Sequence, residues 1–577
     1  MRLGALDWAV VVGFFALNLG VGLAFGRRAG TSVADYFVSG RKVPWWLAGT
    51  SMVATTFGAD TPLAVTGMVL SHGVAGNWIW WNASASGILT VFFFAALWRR
   101  AGVVTDVELI EVRYGGAPAR WLRGFRAAYL ALPVNCLILG WVNLAMAKIL
   151  GLTLGIPRGY AVAVCLVLTG LYTTVSGLWG VLVTDVLQFG VMMAVTVALA
   201  VFSVQAAGGV AHIREVVPAE RLSVLPPIDA PWMPVISLVV FLGVQWWAAW
   251  YPGAEPGGGG YVAQRIFSAR SERDGVLATL WFNVAHYCVR TWPWVMTALA
   301  AWVLYPELRT GGGDPEGAYV RVMIDHLPPA LRGLMMAGFL GAYMSTVSTH
   351  LNWGASYLVR DLYGRFVRPE ASDAELVHAS RVATLVTMAA AGVTTHYLGS
   401  VQGAWKILLA LGSGTGLVLI LRWYWWRINA WSEISAMLAS LVSSVAVRLV
   451  WGLDPERPRD FALQMLATLA VTTVVWVSVT LLTAPESPRV LRDFYTRVRP
   501  AGPGWSRFAA ETGLAPLAPS LAVRAWDWVL GVALINLTLF GVGKIVLGQR
   551  GLGFGLLLGA LGVGGLLWRD LRRDAVV

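Results

Sequence analysis

Residues 342–363 read AYMSTVSTHLNWGASYLVRDLY, and four hydroxyls, Ser345, Thr346, Ser348 and Thr349, fall within five positions. On a helix, Ala342 lies one turn before Ser345 and Thr346, so both side chains sit over its carbonyl. Neutral oxygens converging on one spot make a weakly charged cage that suits a hard monovalent cation, whereas a carboxylate-rich cage would point to calcium. A plainer role competes: serine and threonine also bond back to the i−4 carbonyl and let neighbouring helices approach closely. The cation role needs a partner element that offers unpaired carbonyls to this pair.

The elements around the pair are membrane helices. The chain of 577 residues is 57% hydrophobic and 13% charged, with a mean hydropathy of +0.65, where a soluble protein carries about a quarter charged residues. Apolar runs long enough to cross a ~30 Å hydrocarbon layer recur from end to end. We place about fifteen spans, near 5–25, 44–70, 77–98, 124–149, 159–178, 180–205, 235–253, 275–304, 329–358, 378–397, 401–424, 431–452, 461–483, 526–547 and 551–568. The first is read as a retained span, because no small-residue cleavage site follows it. Cys136, Cys165 and Cys288 all lie in apolar stretches and are expected to be packing residues.

Two spans are interrupted. The run 44–70 breaks at TTFGADTP, and the run beginning at 235 breaks at WWAAWYPGAEPGGGG. Backbone leaves a helix at membrane depth only where protein or a water-filled cavity satisfies its polar groups. Interruptions at matching ranks in two halves point to a transporter built from inverted repeats. Each opens a group of five spans, 44–205 and 235–424, and an odd count inverts the second group relative to the first. Around them we expect an N-terminal span and loop (1–43), an extracellular connection (206–234), two peripheral helices (425–483), a basic cytoplasmic loop (484–525) and two C-terminal helices with a basic tail (526–577).

A net charge of +12 is not read as nucleic-acid binding, because the arginines cluster in alternate connections. One set holds Arg27, Arg28, Arg41, Lys42, Arg99, Arg100, Arg113, Arg120, Arg123, Arg265, Arg270, Arg273, Arg360, Arg365 and Arg368, continuing through Arg489–Arg507 to Arg569, Arg572 and Arg573. That side is expected to be cytoplasmic, with the N-terminus outside and the C-terminus inside. A bacterial inner membrane is the expected location, with the lipid bilayer as surroundings and no obligate protein partner evident.

Polar residues at the breaks and on facing helices, Asp60, Thr61, Asn82, Gln245, Trp246, Tyr251, His286 and Arg290, are candidates for a solute cavity. A charge at the bilayer centre costs roughly 2.5–3.5 kcal/mol on insertion scales, so an intramembrane acid or base signals function. Arg290 follows His286 by four and shares its helix face. Its guanidinium fork suits a carboxylate, unless it pairs with Asp60 or snorkels to the interface; His286 has the alternative of a core imidazole bonded to backbone. The tryptophans of WWAAWY equally suit a sugar, so amino acid, organic acid and sugar all stand as solutes.

Several ordered motifs resemble the sodium:solute symporter family, which includes sodium-coupled proline and sugar carriers. They are DYFVSGRKVPWWLAGTSMVAT, DVELIEVRYGG, VSGLWGVLVTDVLQF, YVAQRIFSARS and LPPALRGLMMAGFLGAYMSTVST, and the resemblance covers about residues 5–483. It implies a leucine-transporter-like fold of five plus five helices and a sodium site made by the carbonyls of Ala54, Phe57 and Ala342 and the hydroxyls of Ser345 and Thr346. It also implies that Asp185 sits on the path by which sodium leaves; as an alternative, Asp185 caps a helix at 186–205. Thr56 departs from the pattern, standing where the proline carrier has an aspartate, while Asp60 lies one turn on, where the sugar carrier has a glutamate. His286 falls where the sugar carrier has a lysine. The implied function is sodium-coupled import of a small organic solute by alternating access. A solute sensor on the same fold and a proton-coupled relative are the alternatives. An enzyme is not expected, since no HExxH, GxSxG or phosphate-loop pattern appears.

Overall fold

The computed structural model describes residues 3–26, 38–228, 230–248, 258–310, 312–454, 457–517 and 519–573. The chain is 82% helix, with no strands among the described residues. After α1 (Ala5–Gly26) come α2 (Trp45–Thr56), α3 (Asp60–His72), α4 (Val74–Ala101), α5 (Gly116–Leu154) and α6 (Arg158–Ala206). The second group holds α7 (Val235–Ala248), α8 (Gly260–Ser268), α9 (Glu272–Val284), α10 (Thr291–Leu304), α11 (Leu331–Ser356), α12 (Asp373–Tyr397), α13 (Val401–Gly412) and α14 (Gly416–Leu421). Then follow α15 (Ala430–Trp451), α16 (Pro458–Leu482), α17 (Leu521–Val546) and α18 (Arg550–Arg573).

Against the expectation of about fifteen spans, eight helices among the described residues are long and apolar enough to cross a membrane, or nine with α2 and α3 taken as one bent span. Several others are interrupted by π-turns, at Phe241–Gln245 and Ala285–Val289 among them. Such single-turn bulges recur at functional sites. The hydroxyl-rich α11 runs 26 residues, yet its polar side chains keep it out of that set.

The first break occurs where the sequence places it. Helices α2 and α3 meet at 57°. Phe57 has left the helical region (φ −89°, ψ 47°), and Pro62 lacks the N–H that a continuous helix needs to bond back to Gly58. A Cβ on Gly58 would lie 2.1 Å from Asp60 Oδ1 and 3.3 Å from Thr346 Oγ1, so the bend is closely packed against α11. The second expected break, WWAAWYPGAEPGGGG, falls largely on residues 249–257, which lie outside the described residues, and Tyr251 with them.

One expectation is corrected. The spans predicted at 159–178 and 180–205 form a single helix, α6, with no proline between them. Asp185 is therefore in a helix interior, and the capping role open to it in the sequence falls away.

Long-range contacts hold α11 and the C-terminal pair in place. Asp7 of α1 accepts hydrogen bonds from the amides of Ala330 (3.0 Å) and Gly333 (2.9 Å) and pairs with Arg332 at 2.9 Å. A carboxylate from the first helix thus caps the N-terminus of α11. At the other end of the chain, α17 lies along α4 and α10. Trp292 Nε1 donates to the Leu539 carbonyl at 2.6 Å, and a Cβ on Gly543 would fall 1.7 Å from the Trp292 ring. Gly543→Ala is expected to destabilise the protein by about 1–3 kcal/mol through overpacking, read as a lowered Tm of the detergent-solubilised chain.

Candidate functional site

The bend between α2 and α3 and the middle of α11 share oxygens. Thr346 Oγ1 lies 2.8 Å from the Thr55 carbonyl and 3.0 Å from that of Ala342, and one hydroxyl proton serves only one of them at a time. Thr55 Oγ1 and Thr349 Oγ1 are 3.3 Å apart. The geometry differs in detail from the expected ligand set. The Ala54 carbonyl accepts the Phe57 amide at 3.0 Å, which tightens the last turn of α2, so the α2 carbonyl that reaches Thr346 is that of Thr55. Ser345 turns away from this spot, donating to Asp185 Oδ1 at 2.5 Å.

Asp185 is the hub of a buried polar cluster beside these oxygens. Its other oxygen accepts from Ser51 Oγ of α2 at 2.5 Å and lies 4.0 Å from Arg265 Nη2 of α8. Arg265 also donates to Ser51 Oγ (3.2 Å), Gln264 Oε1 (2.9 Å) and Thr349 Oγ1 (2.8 Å), and Gln264 in turn donates to Asn352 Oδ1 at 3.1 Å. Helices α2, α6, α8 and α11 thus meet on one carboxylate and one guanidinium. This corrects the placement of Arg265 among the loop arginines: it is 0% exposed. Two more of that set are buried, Arg113 donating to the Arg422 carbonyl at 2.8 Å and Arg123 pairing with Asp361 at 2.6 Å. Gln264 and Arg265 stand in the motif YVAQRIFSARS, so the rule that flags intramembrane charge could have found them had the helix been placed there.

Beside the shared oxygens lies a cavity with about 1170 Å³ of empty space, counting the open solvent at its mouth. Asp60, Thr61, Asn82, Gln245, Trp246, His286 and Arg290 all line it; of the eight candidates only Tyr251 is outside the described residues. Thr346 borders the same space, so the ion-side hydroxyl and the cavity are contiguous. The Asp60 carboxylate takes a hydrogen bond from the Trp141 indole and lies in the field of Arg290. Arg290 donates to the His286 carbonyl at 3.1 Å and to ring Nδ1 at 2.5 Å, with Phe57 and Trp294 rings 5.7 and 5.1 Å from its guanidinium. The same Nη2 also lies 3.1 Å from ring Nε2, and since arginine only donates, His286 turns a bare ring nitrogen toward the guanidinium.

Residues the sequence reasoning did not single out complete the wall, chiefly Trp80, Tyr261, Asn283, His350 and Trp405. Gly87 is what admits Asn283, whose Oδ1 stands 1.9 Å from where a Cβ on residue 87 would be. Trp246 is backed from outside by Trp528 of α17, with ring centroids 5.3 Å apart.

Joining an ion-sized group of oxygens to a solute-sized chamber across a broken helix is the requirement of a secondary transporter. The chain belongs to the sodium:solute symporter family, whose pattern matches residues 36–442. It is 25% identical over 508 residues to a sodium/glucose cotransporter of Vibrio parahaemolyticus, covering 82% of this chain and 90% of the relative. It is 26% identical over 498 residues to a sodium/mannose cotransporter of Bos taurus, covering 79% and 81%. A Na+-coupled sialic acid symporter shares the fold, with a TM-score of 0.69 at 20% identity over 84% of this chain and 99% of that one. The protein is a sodium-coupled symporter with the leucine-transporter-like inverted-repeat fold.

Proposed function

We propose that this symporter carries a neutral, hydroxyl-rich solute of sugar size, with sodium bound between the α2–α3 bend and α11. The observation that carries it is the one chamber bordered both by Thr346 and by seven polar or aromatic candidates. Its charges offset each other, since Asp60 lies in the field of Arg290, whose guanidinium is engaged by His286. A carboxylate solute would therefore meet an arginine with two of its nitrogens already engaged by His286 and an acid that repels it. Two buried acceptors, Gln245 Oε1 and Asn283 Oδ1, and one donor, Trp405 Nε1, have no hydrogen-bond partner among the described residues. Unpaired buried polar atoms cost about 1–3 kcal/mol each, and small rotations of these side chains toward the chamber would let solute hydroxyls satisfy them. Trp80, Trp141 and Phe282 supply flat apolar walls. The sugar-carrying relatives agree with this class.

In the cycle we infer, sodium enters from outside and is held by the Thr55 and Ala342 carbonyls and Thr346 Oγ1, with Ser345 and the Ala54 and Phe57 carbonyls completing the set. Binding ties the bend to α11 and favours the state in which the chamber accepts solute. As the two repeats rock inward the oxygens part, and the ion leaves past Asp185. One charge falling through 100 mV supplies about 2.3 kcal/mol. The proposed orientation has the N-terminus outside and the C-terminus in the cytoplasm of a bacterium, across its inner membrane.

The test is a thermal-shift and binding screen of the purified chain against D-glucose, D-galactose, L-proline and sialic acid, with sodium or choline. Neutral sugars are expected to stabilise the protein only with sodium, and preference for a carboxylated solute would overturn the solute class. Asp60→Asn is expected to raise the sugar KM about 10–100-fold, the loss of one charge-assisted hydrogen bond.

A further inference from the structure

His350 lies one turn beyond Thr346 on α11, is buried, and borders the chamber. Asn135 of α5 fixes its state. Asn135 Nδ2 donates to the His350 carbonyl at 2.8 Å, so the amide oxygen is the atom that faces ring Nδ1, also at 2.8 Å. An amide oxygen only accepts, so Nδ1 carries the proton and Nε2 is left with a bare lone pair. Nε2 has no hydrogen-bond partner among the described residues and is not among the enclosed orphan atoms, so it opens onto the chamber. The ring cannot easily turn away, for Tyr261 and Trp353 meet it edge-on with centroids 5.6 and 5.5 Å distant.

We propose that His350 is a solute-binding residue whose Nε2 accepts a hydrogen bond from a hydroxyl of the transported solute. The proposal rests on the neutral hydroxyl-rich class argued above and adds a contact on the ion-binding helix itself. A bare imidazole nitrogen receives an O–H and repels a carboxylate or ether oxygen, so it selects for a donor at this end of the chamber. It also supplies a short coupling route. Thr346 and His350 sit one turn apart on one helix, so sodium at the first and solute at the second both draw on the position of α11. Each then strengthens the other by the same factor.

The experiment compares wild type, His350→Phe and His350→Gln as purified full-length chains. D-glucose binding is measured at fixed sodium, and sodium binding is measured without sugar. His350→Phe removes the acceptor while keeping a flat ring, and His350→Gln restores an acceptor oxygen. Expected are a roughly tenfold weaker glucose Kd for His350→Phe, substantial recovery in His350→Gln, and sodium binding without sugar within about twofold of wild type in both. Glucose affinity unchanged in His350→Phe overturns the proposal. So does an equal loss of glucose and sodium binding in both variants, the mark of a merely structural histidine. If wild type binds no neutral sugar, the solute class itself fails and this contact with it, an outcome told apart because it shows in the unmutated chain.

Discussion

With Ser345 and Thr346 both replaced by alanine, the sodium concentration for half-maximal uptake is expected to rise about 100-fold. Thr346 Oγ1 would face the cation directly and Ser345 Oγ only by leaving Asp185, and a hydrogen-bond-like contact to a charged group contributes about 1.5–3 kcal/mol, with 1.4 kcal/mol equal to a factor of ten. The two contribute differently. Thr346 Oγ1 bridges the Thr55 and Ala342 carbonyls directly, whereas Ser345 is drawn to Asp185. Thr346→Ala alone should therefore account for most of the rise. Ser345→Ala alone should act more on the rate of sodium release, by freeing one oxygen of Asp185. The check is a sodium titration of solute uptake in proteoliposomes. An unchanged half-saturation in the double variant would remove the ion from this position.

The largest effect on stability is expected from Arg265→Gln. Arg265 and Asp185 are both fully buried, 4.0 Å apart and linked through Ser51. Removing one partner of a buried pair leaves an uncompensated charge and costs about 3–5 kcal/mol, far more than the intact pair contributes over neutral groups. Arg265 also holds Thr349 and Gln264, so its loss loosens α8 from α11 as well. Adding Asp185→Asn to Arg265→Gln should recover much of the loss, because no charge then remains buried. Thermal unfolding of the two single variants and the double variant tests this. A double variant no more stable than the worse single one would show that the two residues act separately.

Much of the site follows from local chemistry. The bend at residues 57–59 is legible because Gly58, Asp60 and Pro62 together cannot continue a helix, and four hydroxyls in an apolar run are conspicuous. The solute candidates follow from one rule, that polar groups at membrane depth are costly and so face protein or a cavity, and the rule needs no knowledge of neighbours. Arg265 reads in the sequence as a loop residue because Arg270 and Arg273 follow closely, and local spacing makes all three look like one interfacial cluster. His350 gives no such signal, because a lone histidine in a hydroxyl-rich helix carries no sign of which nitrogen is protonated.

Composition, periodicity and the break at Gly58 thus mark a helical membrane transporter, and the family motifs narrow it to sodium-driven symport. Tertiary structure decided the rest. It chose the Thr55 carbonyl as the oxygen nearest Thr346, drew Ser345 to Asp185, and joined α6 into one helix. The Asn135 contact that fixes His350 spans 215 positions, and the Asp7 contact that caps α11 spans 326. A helix break is set by the backbone chemistry of a few adjacent residues. Which oxygen or proton faces a site depends on partners that meet only when distant segments pack, and no window of sequence contains both.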